Sequence, residues 1–185
     1  MKKLLPLLLF SLFIQPATGH TQKSHQLGLI WLNEKDGDHT YAPGLGIQFV
    51  MGLGRFTGVE TGLYYKVYAS SFMGVDENSN LFTADNITRN LVLPAHFRFG
   101  HKWLMIEVGG DCVFNLSSVI KDKLSPLADF TVTTRSFTLR PILGISSPWK
   151  IKKKWVIEPG ITASSPIPDG GVELGLNLAF RKILH

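Results

Sequence analysis

Cysteine is nearly absent: Cys112 is the only one in 185 residues, which excludes an internal disulfide and any thiolate zinc cluster. Long apolar runs are missing too. Beyond the first residues, none approaches the roughly 20 that a membrane-spanning helix needs. Charge is sparse, at 18% of the chain, and 19 Lys and Arg against 14 Asp and Glu leave a formal +5, too weak a basic balance to point to nucleic acid. No linker rich in Pro or Ser interrupts the sequence, and no stretch carries an amphipathic helical period. One domain without helices is the expectation.

The N-terminus reads as a targeting segment. Lys2 and Lys3 form a basic region, Leu4 to Phe13 is a short apolar run broken by Pro6, and Ala17-Thr18-Gly19 offers small residues at the positions a signal peptidase reads. Cleavage after Gly19 divides the chain into a signal peptide, 1–19, and a mature domain, 20–185. Losing Lys2 and Lys3 and no acid lowers the formal charge from +5 to +3. No cysteine stands at the cleavage site, so a lipid anchor is not indicated.

What the chain does have is alternation. In "GVETGLYYKVY", Val59, Thr61, Leu63, Tyr65 and Val67 fall on one face, while Gly58, Glu60, Gly62, Tyr64 and Lys66 fall on the other. Eight such runs lie near 25–33, 41–52, 56–69, 87–99, 103–116, 132–146, 154–163 and 171–180. The connections alternate as well. Those around Leu53, at Gly100 to Lys102 and after Ser147 are tight or basic; "EKDGDHT", "SSFMGVDENSNLFTAD", "SSVIKDKLSPLADF" and "SSPIPDG" are longer and polar. An even number of strands, with short turns at one end and long loops at the other, is the plan of an outer-membrane barrel.

A soluble sandwich would also alternate, so the content of the two faces has to decide. Gly28, Gly44, Gly46, Gly58, Gly62, Gly144, Gly160 and Gly175 share the polar face. Glycine weakens a strand and packs nothing on a wet surface, whereas the narrow lumen of eight strands needs small residues among large ones. The apolar face carries no charge through its middle, as in Leu45, Ile47 and Phe49 or Leu174, Leu176 and Leu178. On the glycine face stand Glu60, Lys66, His96, Arg98, Glu107, Asp111, Arg140, Glu158 and Glu173. Ions enclosed in a barrel must pair, because an unpaired buried charge costs several kcal/mol. The reading is therefore all-β: an eight-stranded antiparallel transmembrane β-barrel, with these nine residues as a lumen ion network.

Trp103, Trp149, Trp155, Phe99 and Phe180 gather at the short-turn end, where an aromatic girdle belongs, with Trp103 at the rim. Pro94, Pro141 and Pro159 lie inside strands, and bulges there are expected to absorb the missing donors. "ELGLNLAF" resembles the C-terminal signal read by the barrel-assembly machinery, with Glu173, Gly175, Leu178 and Phe180 in its polar, glycine, apolar and aromatic positions, although Arg181 to His185 follow.

Taken together, "PGLGIQFVMGLG", "GVETGLYYKV", "NLVLPAHFRFG", "LRPILGI" and "GVELGLNLAF" make residues 25 to 180 similar to the outer membrane protein beta-barrel domain family, the small PorT-like barrels of Gram-negative bacteria, especially the Bacteroidetes. The resemblance implies an outer-membrane location and the barrel architecture. Members of that family mostly lack assigned chemistry, and in-strand prolines recur among them.

Catalytic and metal motifs are thin. His96, Asp111, Glu107 and Ser136 have the composition of a nucleophilic triad, but Ser136 lies on the sixth strand and no nucleophile elbow is present. "NEKDGDH" lacks the spacing of a calcium loop. No enzyme activity, cofactor or metal is expected. Asn86-Ile87-Thr88 matches a glycosylation acceptor, which is idle in a bacterial chain. The lysines and tryptophans of "PWKIKKKW" suit a solvated turn with interface anchors, compatible with anionic inner-leaflet lipid. Arg89 and Arg135 have outward parity just above the apolar band and could clamp lipopolysaccharide phosphate. The expected role is structural or surface-interacting, through loops whose ligand the residues do not name. A secreted soluble β-barrel or sandwich that binds a ligand is the alternative, and a lipid-processing barrel enzyme the third reading.

Overall fold

A computed structural model describes residues 24–35, 41–75, 81–122, 130–132, 136–151, 154–165 and 171–184. The signal segment 1–19, Arg135 and the loop acids Asp36 and Asp38 lie outside the described residues.

Ten antiparallel stretches form one sheet: β1 (His25–Lys35), β2 (Tyr41–Gly52), β3 (Thr57–Val75), β4 (Leu81–His101), β5 (Leu104–Asp122), β6 (Phe130–Val132), β7 (Phe137–Ser146), β8 (Trp149–Ile151), β9 (Trp155–Ser164) and β10 (Glu173–Leu184). β6 and β7 both pair with β5, and β8 keeps the register of β7 against β9, so the three act as one stave. Eight staves result, and the pairings of β10 with β9 and with β1 close the ring.

The register fixes the barrel's dimensions. Starting at His25, partners run through Met51, Val59, Phe97, Val108, Leu143, Ala163 and Leu174 and return to β1 at Lys35, ten residues further along. Closure with such a stagger tilts the strands by about 40° and leaves a lumen that side chains can fill.

Alternation then sorts every strand. Ile30, Leu32, Tyr64, Val92, Val113 and Ala179 form an apolar cluster inside. The Tyr64 ring lies against Gly46 and Gly62, where any side chain would collide with it. Outward, Leu29, Ile47, Leu143 and Leu176 are each more than half exposed. Large aliphatic side chains presented all round a closed sheet need a non-aqueous surrounding.

Two expectations are corrected. The in-strand prolines cause no bulges: Pro43, Pro94, Pro141 and Pro159 keep their register with one neighbour, through Asn33, Asp111, Gly110 and Leu178. The cost appears as missing rungs on the other side, as between Thr61↔Ala95 and Tyr64↔Val92, because a strand residue aims its N–H at only one neighbour. The register shift lies instead between Arg89 and Asn90, opposite Leu116. Second, the "SSFMGVDENSNLFTAD" segment is largely not loop. β3 and β4 stay paired up to Val75↔Leu81, and β5 runs on to Asp122. Polar cross-strand contacts such as Ser71 Oγ to Asp85 Oδ1, 2.5 Å, continue the ladder beyond the apolar band, where no lipid rewards an apolar alternation.

Candidate functional site: the charged lumen

Each of the nine ionisable residues expected inside is buried, and each sits on the face that its parity dictates. They form two groups joined by one carboxylate.

Toward the loop end, Lys66 of β3 binds Glu34 of β1, and Arg140 of β7 reaches Glu34 Oε2 at 3.1 Å and Glu173 Oε2 at 2.5 Å. Arg140 also donates to the Tyr68 hydroxyl and to Ser164 Oγ, and Tyr68 donates to Glu34 Oε2 at 3.0 Å. Toward the turn end, Arg98 of β4 binds Glu158 of β9, with Glu107 Oε1 at 3.2 Å and Glu60 Oε2 at 3.4 Å. Arg181 of β10 shares Glu158 and donates to Gln26 Oε1 (2.9 Å) and Gln48 Oε1 (2.6 Å). Ser146 Oγ stands 2.8 Å from Glu107 Oε1 and 2.6 Å from Glu158 Oε1, and its one proton can be donated to either carboxylate. Asp111 links the two groups, with His96 Nε2 at 2.9 Å and Lys66 Nζ at 3.7 Å.

Burial without water would make each isolated charge cost several kcal/mol, so this linkage is what the lumen needs to close. Among the described residues, the buried set has six carboxylates, Glu34, Glu60, Glu107, Asp111, Glu158 and Glu173, against the four strong cations Lys66, Arg98, Arg140 and Arg181, with His96 as a fifth base.

Glu34 and Arg181 were missed by the sequence reading. Their strands were ended one residue short, at Asn33 and Phe180, and carrying the alternation a residue further puts both inside. Arg181 is almost completely buried, so the residues after Phe180 belong to the barrel.

The remaining candidates are placed as follows. Ser136 is exposed at the loop end, ahead of β7, while His96 is buried against Asp111 on the turn side of the lumen, so the Ser-His-acid set does not assemble. Glu173 and Gly175 face inward, and Leu178 and Phe180 outward. Arg89 is exposed and outward, its guanidinium 3.4 Å from Ser117 Oγ. Aromatics cluster at the turn end. Trp155 stacks on Phe180 with centroids 4.8 Å apart, Lys102 lies over Trp103 at 4.9 Å, and the Trp149 indole donates to Ser147 Oγ at 3.0 Å.

No family model matches the chain, and no curated protein matches it. Among solved structures, Ail, the attachment invasion locus protein of Yersinia pestis, crystallised with the heparin analogue sucrose octasulfate, superposes with a TM-score of 0.52 at 11% identity over 88% of this chain and 97% of that one. The N-terminal β-barrel domain of Pseudomonas aeruginosa OprF aligns at 12% identity over 88% and 99%, TM-score 0.43, and Neisserial surface protein A at 10% over 86% and 95%, TM-score 0.45. The likeness to Ail shows the fold, that of a small outer-membrane β-barrel, and the assignment rests on it together with the closed register.

Proposed function

We propose that the protein is a non-enzymatic outer-membrane barrel of a Gram-negative bacterium, with a lumen sealed by its own ion pairs and a structural or surface-interacting role exercised through its loop end. The observation that carries this reading is the combination of an uncharged, exposed aliphatic band outside with a continuous salt-bridge network inside. Only a membrane solvates the first, and only a closed barrel shelters the second.

Within that reading, residues 1–19 direct export, and Glu173, Gly175, Leu178 and Phe180 present the strand that the assembly machinery reads. The turn-end tryptophans and lysines anchor the inner interface, and Arg89 with Arg135 contacts lipopolysaccharide phosphate at the outer one. The PorT-like resemblance supports this placement.

Differential extraction tests the location. Recovery in detergent-solubilised outer membrane is expected, and release with the periplasmic fraction would sink the reading. Planar-bilayer recordings test the seal: purified protein should give no stable channel, and reproducible single-channel steps at neutral pH would overturn it.

A further inference from the structure

The ion-pair network leaves one group of side chains incomplete. His96, Glu60 and Glu107, from β4, β3 and β5, bring a ring nitrogen and two carboxylate oxygens within 4.8 Å of one another, and all three residues are buried. The imidazole is engaged at one nitrogen only. Nε2 meets Asp111 Oδ1 at 2.9 Å, while Nδ1 has no hydrogen-bond partner among the described residues and faces Glu60 Oε1 at 3.5 Å. Glu60 Oε1 accepts from the Tyr64 hydroxyl at 3.2 Å, and Oε2, ion-paired with Arg98 Nε at 3.4 Å, is likewise buried without a hydrogen bond among the described residues.

An imidazole that gives one N–H to a carboxylate turns its other nitrogen outward as an oriented lone pair. Metal-binding histidines are held in this way. Among the described residues, six buried carboxylates against four strong cations leave a deficit of two positive charges with His96 neutral and of one with it protonated, and a divalent ion held by neutral His96 would cancel it. A cavity of about 600 Å³ opens at the turn end and reaches Arg98, the ion-pair partner of Glu60 and Glu107, though not the three residues themselves; an entering ion has to pass the Arg98–Glu158 pair.

From this geometry we infer that Glu60, His96 and Glu107 form a lumen site for one divalent transition-metal ion, zinc being the best match. One imidazole with two carboxylates suits a borderline ion better than calcium or magnesium, which prefer oxygen alone. Asp111 acts as the positioning residue that fixes the ring. The ion joins β3, β4 and β5 at the point where the hydrogen bonds run out. The three residues come from separate strands, so no local spacing announces the site, and the expectation of no metal had nothing to read.

The experiment uses tag-free, folded protein in detergent, stripped with chelator, dialysed against zinc chloride and assayed for bound metal after gel filtration. Wild type should retain one zinc per chain. His96→Gln and Glu107→Gln should each weaken binding by at least about tenfold, beyond the effect of losing an outer partner. Glu173→Gln, in the loop-end group, and a His25→Gln/His101→Gln double variant, at the turn end, should keep it. Folding of each variant is checked by heat-modifiable migration in gels. Should one ligand variant fail to fold, the wild type's cobalt spectrum decides, because cobalt held by nitrogen and oxygen in the lumen gives visible bands that excess zinc removes. Absence of saturable binding by wild type, or full binding by His96→Gln, would overturn the site and leave His96 as a protonated member of the network.

Discussion

Along β7 a single strand presents two surfaces held by different forces. Arg140 points inward, is 3% exposed and is bound by Glu34, Glu173, Tyr68 and Ser164 from four other strands. Leu143, three residues on, points outward and is 55% exposed. The inner residue is fixed by directional bonds in a confined space. The outer one needs only apolar surroundings, which a lipid tail supplies as well as another leucine would. Specificity of the fold therefore lies inside, although most of the apolar area lies outside.

Replacing Arg140 by Leu tests the contrast most severely. Glu34 and Glu173 would lose their shared partner, and breaking a buried pair costs about 3–5 kcal/mol. The midpoint of urea unfolding for the barrel in detergent should fall accordingly. A shift no larger than that of a lipid-face variant would refute the division between the faces.

Glycine sharpens the comparison without involving charge. A Cβ on inward Gly46 would lie 2.6 Å from the Leu63 carbonyl oxygen and 2.8 Å from Tyr64 Cα, both backbone atoms, whereas one on outward Gly110 would meet only the Arg140 carbonyl at 3.3 Å. Gly46→Ala should therefore cost about 1–3 kcal/mol through overpacking. Gly110→Ala should stay within about 0.5 kcal/mol of wild type. Paired urea titrations decide, and equal costs would show that the lumen yields as readily as the lipid face.

Leu143→Ala is expected to cost about 1–2 kcal/mol, less than removal of three buried carbons would suggest at about 0.8 kcal/mol each, because the side chain is only partly covered and lipid fills the space it leaves. Its urea midpoint should thus lie nearer to wild type than that of Arg140→Leu. A larger loss at Leu143 than at Arg140 would reverse the assignment of the faces.

How much of this was legible follows from where alternation has a physical cause. Inside the apolar band a one-residue slip would turn every leucine inward, so the parity of Glu60, Lys66, Arg98 and Glu107 could be read from their neighbours. Above the band lipid no longer rewards an apolar face, so the paired stretch from Ser70 to Val75 reads as loop in the sequence. The prolines misled for another reason. A strand residue has an N–H on one side only, so Pro94 removes rungs toward β3 yet stays in register with Asp111 on β5. Which side loses them depends on register, and register is not written at the proline. The Glu60, His96 and Glu107 cluster was hidden likewise, since it exists only after three strands have been aligned.

The smallest expected effect lies at the upper edge of the band, where the two kinds of surface meet. Arg89 has the outward parity of Leu91 and Phe97 but stands at the register shift beside the wet hairpin, exposed, with Ser117 Oγ 3.4 Å away as its hydrogen-bond partner among the described residues. A cation at this depth is tolerated because its head can reach water while its stem stays apolar, so Arg89→Gln should leave the urea midpoint unchanged. Binding is where it should register. A guanidinium can hold a phosphate through two parallel N–H bonds, and lysine keeps the charge but loses the fork. Lipopolysaccharide retained through purification should fall in Arg89→Lys and further in Arg89→Gln, with the corresponding Arg135 variants adding to the loss. Equal retention in all of them would reduce Arg89 to an interfacial anchor and confine the specific chemistry of this barrel to its interior.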